Sequence, residues 1–154
     1  MIKSNNTDGK LETFTIDRVV EIEAPIEFAF EAVMDQLGTD CEMPGSKRFP
    51  MKLEAWPGGR WYREIGENAG HLWGHVQVMK PPTLIEICGP LMMSYAAINH
   101  LSYRLSAEGL STRLTFRHQA AGLLETEHFD GLPAGWEYWI ERICKLSVEK
   151  AEQA

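Results

Sequence analysis

Cysteine is scarce in this 154-residue chain, with three in all. Cys41, Cys88 and Cys144 are an odd number, far apart and without C-x-x-C spacing, which excludes a disulfide framework or a cysteine-based zinc ribbon. They read as reduced thiols, two of them packed as small apolar groups. Cys41 is set apart by the polar stretch around it. Equally absent is any apolar run near the roughly 20 residues that cross a bilayer. The polar opening, residues 1–10, also lacks the apolar centre of a secretory signal. Positive charge is not in excess. The net charge of -7 argues against a nucleic-acid partner and against docking on anionic lipid. No G-x-S-x-G elbow, phosphate-cradling loop or dinucleotide fingerprint occurs. His71 and His75, two strand repeats apart on one face, find no thiols or carboxylates nearby to complete a tetrahedral metal set. The expectation is a cytoplasmic protein without metal, cofactor, nucleic-acid partner or membrane insertion.

What is present is ordinary globular material, 44% apolar and 24% charged, enough for one core. Residues 1–11 read as a flexible tail and 12–154 as a single domain. Over 13–23 the residues alternate, with Phe14, Ile16, Val20 and Ile22 on one face and Arg18 as its odd member. Pro25 is suited to open a helix, and Ile26, Phe30, Val33, Met34 and Leu37 recur at helical spacing up to Gly38. Residues 38–50 predict an irregular connection with one short helical turn. Strands follow at 51–56, 60–65, 72–79, 83–88, 98–106 and 111–119. Turn residues such as Pro57-Gly58-Gly59 and Glu108-Gly109 separate them, so neighbours pair antiparallel. From Pro133 the period changes: Trp136, Trp139, Ile140, Ile143 and Leu146 share one helical stripe. A helix over 133–151 would be about 30 Å long and could cross a sheet. The predicted fold is α+β, a curved seven-stranded antiparallel sheet around a long C-terminal helix, with a short helix after the first strand.

Alternation also assigns faces. Trp61 shares one with Arg63, Trp73 with His75, and Leu114 and Phe116 with His118. Trp61, Trp73, Tyr103, His118, Trp136 and Ile140 are expected to line one cavity of about 300 Å³ or more between sheet and helix. Trp136 and Trp139 suit stacking on an aromatic ligand or filling a core. Arg63 suits a ligand carboxylate or solvent, and His118 a ligand-orienting group or a satisfied core imidazole. The apolar stretch 89–97, with Met92 and Met93, suits a lid, a partner surface or plain packing.

Four motifs are also recognisable. They are VEIEAPIEFAFEAV (20–33), WPGGRWY (56–62), WGHVQVMKPPTLIEI (73–87), and STRLTFRH (111–118) followed by GWEYWIERI (135–143). In that order they resemble the START-like (SRPBCC) helix-grip superfamily. They are most similar to the branch named after the activator of the heat-shock chaperone ATPase, over nearly everything beyond the tail. The chain departs from that branch at 39–44, where members often carry a tryptophan. The resemblance implies a helix-grip fold, which hosts lipid carriers, hormone receptors and aromatase/cyclases. Three functions follow as expectations. The first is a carrier of a small hydrophobic or aromatic molecule. The second is an enzyme of cyclase or hydrolase type using His118, Tyr103 and Arg63. The third is a chaperone-associated interaction protein. A homodimer is left open.

Overall fold

In the computed structural model, which describes residues 9–154, the alternating N-terminal pattern forms β1 (Glu12–Ile22). Pro25 stands just before α1 (Ile26–Leu37), where its missing N–H costs nothing. A small ribbon of β2 (Glu42–Met43) and β3 (Lys47–Arg48) follows, then β4 (Lys52–Leu53), β5 (Arg60–Gly66), β6 (Ala69–Lys80) and β7 (Leu84–Gly89). The chain closes with β8 (Ala97–Glu108), β9 (Ser111–Gly122) and α2 (Thr126–Glu152). Seven strands form one sheet in the order β1-β9-β8-β7-β6-β5-β4, each neighbouring pair antiparallel. With α1 and α2 covering its inner face, this is the α+β helix-grip architecture.

Cross-strand register builds the inner face row by row. Ile16, His118, Leu101 and Ile87 lie opposite one another across four strands, and Arg18, Phe116, Tyr103 and Ile85 form the next row. Arg18, the charged member of that face, sits at the rim. Its guanidinium forks onto Glu137 of α2 at 2.7 and 2.8 Å. The two helices pack on each other, tied by Arg142 to Gln36 (2.8 Å) and by Lys150 to Asp35 (2.6 Å), and Arg142 also pairs with Glu42 of the β2–β3 ribbon (2.9 Å). Trp61 reaches up from the sheet to donate its indole N–H to Leu37 O at 2.7 Å. That satisfies one of the carbonyls α1 leaves open at its end.

The structure departs from several sequence expectations. Residues 38–50 hold the β2–β3 ribbon instead of a helical turn, and Gly45 takes its left-handed position at φ 84°. The strand expected over 51–56 contracts to β4. Beyond it, Pro57-Gly58-Gly59 folds back so tightly that a Cβ on Gly59 would lie 1.9 Å from Glu54 O. α2 begins at Thr126, seven residues before Pro133, which lies inside it. The extra turns are held by Phe129 and Leu132, which pack against Phe14, Met93 and Leu124, and tertiary burial outweighs the proline's lost hydrogen bond. In β6 the register slips opposite Trp61, so Trp73 and Gly74 together face one residue of β5. The tail expected over 1–11 falls mostly outside the described residues, and residues 9–11 precede β1 without regular structure. Finally, Cys41 is the most buried of the three free thiols, at 2% exposure, whereas Cys88 and Cys144 are half-buried.

Candidate functional site

The space between sheet and α2 is filled by rings. Trp73 meets Trp61 edge-on at 5.1 Å, Trp61 meets Trp139 at 6.3 Å, and Trp139 meets Trp136 at 5.2 Å. Trp136 then contacts Phe116 at 5.0 Å, and Phe116 contacts Tyr103 at 5.1 Å. These edge-to-face and tilted geometries are those the ring quadrupoles favour, so the chain is a packed aromatic core. The cavity expected among Trp61, Trp73, Tyr103, His118, Trp136 and Ile140 is instead occupied by those side chains themselves. Each is no more than 4% exposed.

His118 is fully engaged within it. Its Nδ1 accepts the Trp136 indole N–H at 3.0 Å, which places the ring proton on Nε2, facing Asn99 Oδ1 at 2.7 Å. The Asn99 amide then donates to Gly89 O and Pro90 O, both at 3.2 Å, and to Met93 Sδ at 3.4 Å. Burial disfavours the imidazolium and lowers the His118 pKa to about 4. A neutral imidazole with both nitrogens bonded has no lone pair left for a substrate. Tyr103 is different. Its hydroxyl is buried with no hydrogen-bond partner among the described residues, and burial drives its pKa upward. Burial likewise raises the Cys41 thiol to about 12, although Arg142 and Arg63 pull it down.

Open space lies at the mouth of this core. A recess of about 160 Å³ is lined by Met43, Met92, Gly131, Leu132, Gly135, Trp136 and Trp139. A second basin, of about 320 Å³, is lined by Phe49, Arg63, Ile65, His71, Trp73 and Met92, so Met92 is a wall of both. Gly131 and Gly135, four apart on α2, leave one helix facet bare, and a Cβ on either would meet nothing within 4 Å. In the second basin the Arg63 guanidinium carbon lies 3.5 Å from the Phe49 ring centroid, and Phe49 packs on Trp73 at 5.9 Å. Larger surface grooves, of about 440 Å³ along the β5–β6 hairpin and about 540 Å³ beside β4, carry only Arg63 from the predicted set.

Of the residues predicted to contact a ligand, Arg63, Trp73, Trp136 and Trp139 therefore meet at the mouth. Trp61, Tyr103, His118 and Ile140 stand behind it as support. His75 does not share a face with Trp73. The slip opposite Trp61 breaks the alternation, and His75 is exposed on the outer face in register with Cys88 and His100. The same slip separates His75 from His71, which pairs with Arg63 beside the basin. Among the described residues no three His, Cys, Asp or Glu side chains gather as metal ligands, and no helix is long and apolar enough to cross a membrane. The sequence reading missed Met43, Phe49, Gly131, Leu132 and Gly135 as lining. Gly131 and Gly135 carry a signal, two glycines at helical spacing, that starting the helix at Pro133 conceals.

No protein-family model matches the chain, and no curated protein matches it in sequence. Solved structures do match its shape. One is a putative uncharacterized protein from Rhizobium leguminosarum, with TM-score 0.64 and 18% identity, covering 91% of this chain and 99% of that one. Another is the Zhui aromatase/cyclase from Streptomyces sp. R1128, with TM-score 0.58 and 15% identity, covering 92% and 95%. A third is the di-domain ARO/CYC StfQ from the steffimycin biosynthetic pathway, with TM-score 0.64 and 11% identity. The match covers 91% of this chain and 52% of StfQ, about one half of that two-domain protein. At such identities the likeness is one of fold: this chain has the helix-grip architecture those proteins share.

Proposed function

We propose that the protein binds a small hydrophobic molecule at the recess over Trp136 and Trp139, with Arg63 and Trp73 bordering the adjoining basin. The observation that carries this is the apolar recess itself, about 160 Å³ floored by two indoles and kept open by two glycines. Its size is comparable to the roughly 150 Å³ apolar cavity known to admit benzene. The aromatase/cyclases among the fold neighbours support a hydrophobic-ligand role in general terms. The cyclase reading has less behind it, because His118 is saturated and Tyr103 is sealed beneath the rings. The chaperone-activator reading rests on sequence motifs, and a pull-down with the chaperone tests it.

The binding test uses toluene and cyclohexane as probes and reads tryptophan fluorescence and melting temperature. Wild type should respond saturably and melt higher with probe. Gly135→Leu starts its side chain in open space, since a Cβ there meets nothing within 4 Å, projects it into the recess, and replaces a helical glycine, a gain of about 1 kcal/mol in helix propensity. The variant should therefore melt above wild type yet lose the probe response. No saturable response in wild type, or undiminished binding in Gly135→Leu, would refute the assignment.

A further inference from the structure

We infer that the ligand of this site is an amphipathic monocarboxylic acid, its apolar part over Trp136 and Trp139 and its carboxylate on Arg63. The inference rests on the binding reading above and goes beyond it in naming the chemical class. Its basis is charge. The chain has a net charge of -7, yet no carboxylate lines either the recess or the adjoining basin. The basin instead holds one guanidinium. Among the described residues Arg18, Arg60, Arg113, Arg117 and Arg142 each pair with a carboxylate, whereas Arg48, Arg63 and Arg104 pair with none, and of these three Arg63 alone lines the basin. Its chain neighbour Glu64 is taken by Lys52.

Arg63 is also placed for recognition. Stacking on Phe49 removes water from one face of the guanidinium and leaves its N–H edge free for the fork-to-fork pairing a carboxylate offers. One fork matches one carboxylate. Met92 lines both spaces and so places them side by side; the ligand's ring or short chain would lie in one and its acid in the other.

The test titrates phenylbutanoate and phenylbutanol, which share a tail, into wild type and Arg63→Met at roughly 0.15 M salt, where long-range repulsion from the acidic surface is screened. Wild type should bind the acid about tenfold or more tighter than the alcohol, as expected for a charge-assisted pair. Arg63→Met keeps the stem over Phe49, so it should lose that preference while its alcohol affinity stays within about twofold. Arg63→Lys should retain part of the preference. Equal binding of acid and alcohol to wild type, or a preference that survives in Arg63→Met, overturns the acid assignment alone. If neither ligand binds wild type, the binding reading fails with it.

Discussion

Acidification forces a choice on His118. In the folded chain its Nδ1 accepts the Trp136 N–H, so a proton arriving there would set two N–H groups against each other inside an apolar core. The pKa falls from 6.5 to about 4 because burial penalises the cation. For a base depressed on folding, the stabilisation is complete above the unfolded value of 6.5 and drains away as pH falls toward about 4. At about pH 5 the unfolded chain carries the proton almost fully, while the folded ring is still about nine-tenths neutral. The folded state is then less stable by ~2 kcal/mol than at about pH 8, approaching ~3 kcal/mol below about pH 4. Against a total stability of roughly 5–15 kcal/mol this is readily measured by urea unfolding. The control is His118→Gln, whose amide can accept from Trp136 and donate to Asn99 but does not titrate. The other described imidazoles, all exposed or half-buried, remain in both proteins and cancel. Wild type should lose ~2 kcal/mol between about pH 8 and about pH 5, and His118→Gln much less. Parallel losses in the two proteins would show that the His118 ring is not the buried neutral group described above.

Ile140→Trp puts an indole in place of a branched aliphatic chain at a position 2% exposed, in the same core cluster as Trp136 and Trp139. It should destabilise by about 1–3 kcal/mol, since a full core has no room for it, and an undiminished melting temperature would mean hidden volume. Tyr103→Phe removes a buried hydroxyl that no described residue bonds, so the variant should be neutral to about 1 kcal/mol more stable. A loss above about 1 kcal/mol in urea unfolding would mean that the hydroxyl has a partner. All three thiols should react in denaturant. In the native protein Cys41, 2% exposed and with its pKa raised to about 12, should be the last to react with an aromatic disulfide, and early labelling of Cys41 would contradict its burial.

The architecture was legible because two periods do not mix. Alternation through Phe14, Ile16, Val20 and Ile22 can only be a half-buried strand, and the 3.6 spacing of Trp136, Ile140 and Ile143 can only be a helix. Turn chemistry between the strands then left antiparallel hairpins as the economical connection. What failed to show was anything decided by a neighbour in space. The slip that turns His75 outward depends on how Trp73-Gly74 meets Trp61, and no strand pattern announces it. Pro133 is a reasonable helix start until Phe129 and Leu132 find apolar partners before it. Cys41 has polar sequence neighbours, but Gln36 and Arg142 close over that stretch through their bonds to each other and to residues 40 and 42. Above all, inward aromatics are the same whether they surround a chamber or fill it. Only ring-to-ring distances of 5–6 Å decide for a filled core.

With the core filled, the proposed binding site lies at its mouth, and the same packing stiffens that recess. One wall of the recess is α2, at Gly131, Gly135 and Trp136, and another is the loop between β7 and β8 that carries Met92. A buried polar chain joins them, from the Trp136 indole through His118 to Asn99 and on to Gly89 O, Pro90 O and Met93 Sδ. At the surface Tyr95, on the same loop, stacks on His128 at the start of α2 with its hydroxyl 3.1 Å from Nδ1. Every buried donor and acceptor along the inner chain has a partner, so displacing the loop would strand several at once, at about 1–3 kcal/mol each. The recess is thus braced through His118 and Asn99, which do not line it. His118, which the sequence suggests as a group touching ligand, instead ties together the two surfaces that wall the proposed site.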